Sequence, residues 1–345
     1  MTESNNLNRI QTPDAAGSKV LQPNGAAERE RPEHTEQSPC EQKKEWPIAV
    51  FDSGVGGVSV LRELHRVLPA EHLIYFGDSA HAPYGTKTQE ALITRCREIT
   101  DHLIAEGAKC LVVACNTATS AAVPALRKTY PDLPIIGMEP AVKPAAQSGR
   151  HPTVLVMATP FTIRGERLHE LIGHFEDEAN ILLLPAPGIV TYVENGETDA
   201  APTEGIRAYL KEILSPYFAP PVQGEHANHT VAHPHPFSLA SGDDVPNRFA
   251  ADSSDESGAN DEPCRQGGKI DAIVLGCTHF PFVERLIRET VPYPVQIFDG
   301  AHGTAMQTKR RLAEKGLLRE GSEGGSVRFE NSDPGKLKLE RSLFA

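Results

Sequence analysis

The chain has 345 residues, of which 39% are hydrophobic, and a formal net charge of −12. This length allows one large or two medium domains, and the acidic balance gives no electrostatic reason to expect a nucleic-acid or anionic-membrane partner. No apolar run approaches the ~18 residues that cross a bilayer, the polar N-terminus lacks the core of a secretory signal, and six cysteines without a CxxC pair are typical of a reduced, cytoplasmic protein.

Apolar runs alternate with segments of helical periodicity from Trp46 onward. Strands are predicted at WPIAVFD, HLIYFGD, CLVVAC, LPIIGM, TVLVMAT, ANILLLP and DAIVLGC. Helices are predicted at GVSVLRELHRVLP, TQEALITRCREITDHLIAEG and TATSAAVPALRKTY, with Gly107 as the C-terminal cap of the second. The strand runs are almost continuously apolar, as in parallel strands covered on both faces. The pattern predicts an α/β fold of the doubly wound parallel type, in which ligands bind beyond the carboxyl ends of the strands.

Two stretches interrupt this order. Residues 1–45 are rich in Asn, Gln, Glu, Pro and Ser, which predicts a disordered tail. Residues 216–268 hold seven prolines and eight acidic residues against two basic ones, which predicts a disordered insertion. The insertion also contains four histidines without a cysteine partner at metal-binding spacing, and we expect no metal site there: His226, His229, His233 and His235.

Polar and ionisable residues collect where at least five of the predicted strands end. They are Asp52 and Ser53, Asp78 and Ser79, Cys115 with Asn116 and Thr117, Thr159 and Thr162, and Cys277 with Thr278 and His279. Core packing does not need such residues at strand ends, whereas a site for a small polar ligand does.

Cys115 and Cys277 differ from the other cysteines because each follows an apolar strand and precedes hydrogen-bond donors. The other four fit packing positions or lie in the two interrupting stretches: Cys96, Cys110, Cys40 and Cys264. The pair could be simple core residues, a redox couple, or a nucleophile with His279 as its base. They could also face one carbon from opposite sides, one thiolate removing a proton and the other thiol returning one, which inverts the carbon.

The loop DSGVGG at residues 52–57 has the glycine content of a phosphate cradle, but Ser59 stands where the last glycine of a GxGxxG motif belongs. The loop therefore argues against a nucleotide. Its glycines still allow main-chain N–H groups to approach an anion closely, and a carboxylate would serve as well as a phosphate.

Four motifs in this order resemble the aspartate/glutamate racemase family, and within it the glutamate racemases: FDSGVGGVSVL, YFGDSAHAPYG, LVVACNTATSAAV and IVLGCTHFPF. The likeness runs from about Trp46 to the C-terminus, apart from the insertion. It implies two similar α/β lobes with the active site in the cleft between them, one formed by residues 46–141 and 300–345 and the other by 142–299. It also implies cofactor-independent conversion of L-glutamate to D-glutamate for peptidoglycan synthesis.

The resemblance implies roles for individual residues. The catalytic groups would be Cys115, Cys277, Asp52, His279 and Glu194. The substrate-binding residues would be Asp52, Ser53, Tyr84, Gly85, Asn116, Thr117, Thr162, Thr278 and His279. The partner would be glutamate, with no cofactor or metal, and the family allows a homodimer and regulation by a cell-wall precursor. A racemase for aspartate and a thiol redox or binding protein remain as alternatives.

Overall fold

The framework of the protein consists of two all-parallel β-sheets in a computed structural model that describes residues 39–218, 269–321 and 324–345. The strands are β1 (Ile48–Asp52), β2 (Leu73–Gly77), β3 (Cys110–Val113), β4 (Ile135–Gly137), β5 (Thr153–Ala158), β6 (Asn180–Pro185), β7 (Ala272–Leu275), β8 (Gln296–Asp299) and β9 (Val327–Asn331). The helices are α1 (Pro39–Lys44), α2 (Val58–Val67), α3 (Gln89–Ala105), α4 (Asn116–Thr129), α5 (Val142–Ala146), α6 (Pro160–Arg164), α7 (Glu166–Gly173), α8 (Pro187–Glu194), α9 (Glu204–Phe218), α10 (Glu284–Thr290), α11 (Ala301–Glu314) and α12 (Leu337–Phe344). Short 3-10 turns cover Ser79–His81, Tyr84–Thr86, Phe280–Val283 and Pro334–Lys336.

The first sheet has the strand order β4-β3-β1-β2-β9 and the second the order β6-β5-β7-β8. The predicted α/β fold with two parallel sheets is confirmed. Strands β1, β3 and β7 are buried at every residue, in agreement with their continuous apolar sequences. Strands β8 and β9 were not predicted; both lie at sheet edges and are only partly buried, so their sequences lack the apolar run.

Helix α3 shows how the sequence pattern becomes packing. Its predicted apolar stripe of Leu92, Cys96, Ile99 and Leu103 is buried, and each such aliphatic side chain contributes roughly 1.5–3 kcal/mol on burial. The helix ends before Gly107, whose φ of +85° lies in the left-handed region that glycine adopts without a steric penalty.

The structure differs from the sequence prediction at the inner edges of the two interrupting stretches. Residues 1–38 and 219–268 lie outside the described residues, but α1 occupies the end of the predicted tail. Lys109 donates to the main-chain oxygen of Lys44 at 2.5 Å, and Arg319 pairs with Glu45 at 2.7 Å, which attaches this end to the fold. Helix α9 continues through Pro216 because its inner face packs into the core. None of the described helices has the length and apolarity to span a membrane.

Candidate active site

The carboxyl ends of strands from both sheets meet at one place. Asp52 ends β1 in the first sheet, and Thr278 follows β7 in the second. The Oγ1 atom of Thr278 donates to Oδ2 of Asp52 at 3.2 Å, and the Oγ atom of Ser59 lies 3.1 Å from the main-chain oxygen of Thr278. The strand ends that carry Cys115 and Cys277 therefore border the same interface.

Cys115 has a hydrogen-bonded path to Asp52. Its thiol donates to Ser53 Oγ at 3.7 Å, and Ser53 Oγ donates to Asp52 Oδ1 at 3.5 Å. The sulfur is also the N-cap of α4 and accepts from the N–H of Ala118 at 3.5 Å. Burial and the nearby Asp52 carboxylate raise the pKa of Cys115 well above its ordinary value, although the Ala118 N–H works in the opposite direction. In this environment the thiol form of Cys115 is favoured.

Cys277 has a different partner, a buried imidazole. Its sulfur lies 3.7 Å from His279 Nδ1, and His279 Nε2 lies 2.7 Å from Glu194 Oε1. Burial disfavours a charged ring, but the hydrogen bonds with Cys277 and Glu194 outweigh it and raise the pKa of His279 well above its ordinary value. Burial likewise opposes ionisation of Glu194, yet its bond to His279 lowers the pKa of Glu194. A charged His279–Glu194 pair therefore stands beside Cys277.

Asp52 joins the two sides. Besides Ser53 and Thr278, its carboxylate accepts from the N–H of Gly57 at 2.7 Å. Burial raises the pKa of Asp52, and the charge of His279 opposes that effect. Hydrogen bonds thus lead from Asp52 toward both cysteines, because Ser53 Oγ also accepts from the thiol of Cys115 and Thr278 directly follows Cys277. Each thiol therefore has its own hydrogen-bonded neighbours, and both lie close to the same carboxylate.

Asn116 has a buried side chain that is available to bind a polar ligand. Its side chain is buried, and neither Oδ1 nor Nδ2 has a hydrogen-bond partner within the described residues. An unpaired buried amide costs about 1–3 kcal/mol, which a polar ligand would recover. Asn116 and Thr117 are also the first residues of the 14-residue helix α4, whose initial N–H groups have no partner inside the helix and suit a carboxylate.

Three threonines connect the sheets beside Asn116. Thr117 Oγ1 lies 3.2 Å from Thr159 Oγ1 and 3.5 Å from Thr162 Oγ1, and Thr159 and Thr162 are 3.1 Å apart. The structure thus brings Thr162, which the family resemblance implied as a substrate-binding residue, against Thr117. Thr159 was noticed only as a strand end, and its place in the cluster depends on contact between the sheets.

Tyr84 and Gly85 can offer a ligand their main-chain groups, but the Tyr84 hydroxyl is already bonded within the protein. Tyr84 was expected to bind the substrate, but its hydroxyl donates to Asp78 at 2.7 Å, and Arg95 donates to the same carboxylate through two nitrogens. The ring is buried, so the hydroxyl has a structural role. What Tyr84 and Gly85 can offer a ligand is main-chain N–H at the start of their 3-10 turn, and Gly85 lies against Thr159.

The glycine-rich loop binds a carboxylate of the protein itself, that of Glu194. The N–H of Val55 donates to Glu194 Oε1 at 2.8 Å. A side chain at Gly54 would collide with the Glu194 carboxylate, and one at Gly56 with the His279 ring. The loop therefore needs glycine because Glu194 and His279 pack directly against its main chain.

An open cavity of about 210 Å³ lies beside these groups. Its lining includes Asn116, Thr162 and Arg167 but neither cysteine. Cys115 and Cys277 are 6% and 7% exposed, so both thiols are buried. No group of three or more His, Cys, Asp or Glu suited to a metal ion occurs within residues 39–218, 269–321 and 324–345.

Glu340 is a buried acid that the sequence did not single out. It lies on α12 with no exposed surface; Oε1 accepts from Asn331 Nδ2 at 2.6 Å, and Oε2 has no partner in the described part of the chain. Burial raises the pKa of Glu340 to about 8; Asn331 and Arg341 oppose this, and the charges of Glu194 and Asp52 add to it. A glutamate in a short charged helix has no local signal of burial, so the sequence could not reveal it.

This acid makes folding stability depend on pH. The pKa of Glu340 rises from 4.5 to about 8 on folding. The contribution of Glu340 to the free energy of unfolding is therefore fully present below pH 4.5 and is lost as the pH rises through about 8. In Glu340→Gln, which cannot ionise, the free energy of unfolding relative to the unchanged chain should increase by on the order of 3 kcal/mol between about pH 5 and about pH 8. Urea unfolding at both pH values measures this; a difference that does not vary with pH would contradict a protonated Glu340.

Comparison with known proteins identifies the family of the chain. Residues 48–222 match the family model described as Asp/Glu/Hydantoin racemase. The chain is 36% identical to a glutamate racemase of Clostridium perfringens over 87% of this chain and 95% of the relative, and 39% identical to one of Ectopseudomonas mendocina over 79% and 84%.

A solved structure of Escherichia coli glutamate racemase in complex with L-glutamate and the activator UDP-MurNAc-Ala has 26% identity and a TM-score of 0.63, and covers 86% of this chain and 95% of its own. Both sequence and fold thus point to the same group of proteins. The chain belongs to the Asp/Glu/Hydantoin racemase family.

Proposed function

We propose that the protein is a glutamate racemase that interconverts L- and D-glutamate with Cys115 and Cys277 as the two proton-transfer groups. The observation that carries this proposal is the pair of thiols at the ends of β3 and β7, one linked to Asp52 through Ser53 and the other to Glu194 through His279. The relatives named glutamate racemase support the choice of substrate.

The substrate is held by groups that match its charges. Asn116, Thr117 and the start of α4 supply donors for one carboxylate. On the other side, the hydroxyls of Ser53 and Thr278 donate to Asp52 in the absence of substrate and turn toward the substrate when it binds. The Asp52 carboxylate can accept from the ammonium group or assist the thiol of Cys115. Because hydrogen bonds join the lobes across the thiols, glutamate enters when the lobes separate, and their closure removes water from it.

Proton transfer uses the two thiols in opposite forms. The sulfur that starts as thiolate forms an S–H bond with the proton from Cα, and the C–H electron pair remains on carbon. The other thiol then gives its proton to the opposite face of that carbon and becomes the thiolate. The thiol form is favoured at Cys115, and the protonated His279 can donate through Nδ1 to a thiolate at Cys277. The opposite enantiomer reacts by the reverse sequence.

The site must stabilise a weakly acidic carbon during this exchange. A positioned acid or base contributes roughly 10²–10⁴-fold in rate. Most of the remaining acceleration is electrostatic, because donors fixed toward a carboxylate stabilise charge that spreads onto it when Cα loses its proton. The buried Asn116 amide and the first N–H groups of α4 are placed for this role.

In the cell we propose that the enzyme works in the cytoplasm and supplies D-glutamate for peptidoglycan, and hence for cell-wall biogenesis and cell shape. The activator bound to the Escherichia coli relative supports regulation by a cell-wall precursor. A homodimer stays a prediction from the resemblance.

Two alternatives give different experimental results. The family description includes aspartate racemases, and such an enzyme would racemise aspartate in preference to glutamate. A thiol redox or binding protein would lose function on oxidation of the pair and would not exchange the α-hydrogen of any amino acid with solvent.

The decisive experiment is incubation of the protein with L-glutamate in D₂O without added cofactor. We expect deuterium at Cα together with D-glutamate, detected by proton NMR and chiral chromatography. A parallel panel with L-aspartate and L-alanine is the specificity control. Faster turnover of aspartate would replace the substrate assignment, and the absence of exchange in every amino acid would refute racemisation by this protein.

A further inference from the structure

The C-terminal segment contacts Glu194, although Glu194 follows a strand of the second sheet and the segment follows a strand of the first. Lys336 Nζ donates to the main-chain oxygen of Glu194 at 2.6 Å, and Leu339 packs near Gly196, just beyond the end of α8. Strand β9, which leads into this segment, pairs with β2 in the first sheet. The last residues of the chain therefore connect the first sheet to the acid that binds His279.

A chain of side-chain hydrogen bonds leads from this segment to the Glu194 carboxylate. Asn331 Nδ2 lies 2.6 Å from Glu340 Oε1 and 3.1 Å from Ser79 Oγ. The N–H of Asp333 donates to Asn331 Oδ1 at 2.7 Å, which fixes the orientation of the amide. Because Ser79 Oγ accepts from Asn331, its own proton is free to be donated to Glu194 Oε2 at 3.3 Å. Every bond in the chain thus has a defined direction.

The main chain packs closely around these groups. A side chain at Gly77 would collide with Glu340 Oε1 and Asn331 Nδ2, so the relay lies directly on the end of β2. Glu340 has no exposed surface. A buried carboxyl that is neutral adds no second negative charge near Glu194, and the pKa of Glu340, raised by burial, agrees with a neutral form at physiological pH.

We infer that Glu340, Asn331 and Ser79 form a positioning relay that orients the Glu194 carboxylate and, through it, the His279 ring beside Cys277. None of the three touches the thiols; they act through Glu194. The relay serves the Cys277 side of the site, since Cys115 has a separate path through Ser53 and Asp52. This inference rests on the proposed two-thiol racemisation.

The test must distinguish the two thiols. The equilibrium constant of a racemisation is unity, so kcat/KM changes equally in both directions and cannot locate a defect. The deuterium isotope effect of the substrate, measured separately for the L-to-D and D-to-L directions, can locate the slowed step. If the step at Cys277 becomes slower, α-deuterated substrate should show a larger isotope effect in the direction in which Cys277 removes the proton. It should show a smaller one in the direction in which Cys115 removes it.

Ser79→Ala and Glu340→Ala are the test variants. We expect each to lower kcat by about 10-fold to 100-fold, by analogy with the hydrogen-bond partners that orient metal ligands. KM should change by less than about threefold, and the isotope effects should shift in opposite senses. Glu340→Gln, whose carbonyl can still accept from Asn331, should restore kcat to within about twofold. Ser342→Ala, an exposed serine on the same helix, is the matched control.

Each possible outcome decides the matter. Isotope effects that do not shift in opposite senses from those of the unaltered protein would overturn the relay even if kcat falls, and so would a Glu340→Gln variant as slow as Glu340→Ala. An unchanged kcat in Ser79→Ala would do the same without depending on the stability of a Glu340 variant. If the unaltered protein does not racemise glutamate at all, the proposed function fails first, and the two failures are thereby separate.

Discussion

Replacement of Cys115 or Cys277 by serine should lower racemisation roughly 10³-fold, within the range that a positioned acid or base contributes. A serine hydroxyl is far less acidic than a thiol and cannot act as a base at neutral pH. Each variant keeps one functional thiol, which can still remove and return a proton on its own face. We therefore expect each variant to exchange the α-hydrogen of only one enantiomer in D₂O, and the two variants to select opposite enantiomers.

Proton NMR of L- and D-glutamate incubated separately with each variant measures this selectivity. Cys110→Ala is the matched control because Cys110 is a buried free cysteine at the opposite end of β3, and its loss should leave both exchange reactions in place. Exchange of both enantiomers by either serine variant would exclude the assignment of the two thiols to opposite faces.

Replacement of His279 by glutamine should have the second largest effect, a loss of kcat of roughly 10²-fold. The substitution removes the charged donor at 3.7 Å from Cys277 and leaves the buried Glu194 carboxylate without its partner. In the unaltered enzyme the raised pKa of His279 keeps the ring protonated above its ordinary titration range, and activity should fall as the pH rises through that raised value.

Glu194→Gln tests the same pair from the other side. Loss of the carboxylate removes one of the interactions that raise the pKa of His279, so the alkaline decline of kcat/KM should move to lower pH. The pH–rate profile measures the shift, and nitrogen NMR of the imidazole measures the titration directly. The removal of Glu212, which is exposed on α9, provides a control; an alkaline limb that stays in place in Glu194→Gln would argue against a catalytic role for the pair.

Much of the fold was predictable because the signal is local. Buried parallel strands need long apolar runs, and β1, β3, β5 and β7 have them. The edge strands β8 and β9 were missed because a half-exposed strand tolerates polar residues. The positions of Cys115 and Cys277 after apolar strands likewise pointed to the site, since parallel strands present their carboxyl ends on one side.

Side-chain partners were not predictable in the same way. No local pattern indicates that the Tyr84 hydroxyl binds Asp78, or that Glu194 contacts Val55 across 139 positions. Nor does a charged C-terminal helix indicate that one of its glutamates is fully buried near the site. Such contacts depend on how two sheets pack together, and many sequences with the same local pattern would pair differently.

The sequence by itself determined the strand and helix pattern, the two thiols at strand ends and the likeness to a racemase family, because each is encoded in residues close together along the chain. Only the tertiary structure decided which proton partner each thiol has, what the glycine-rich loop holds, and how Glu340 reaches Glu194. The physical reason is that burial and hydrogen bonding between distant segments set the charge and orientation of these groups, and neither exists until the two sheets are packed against each other.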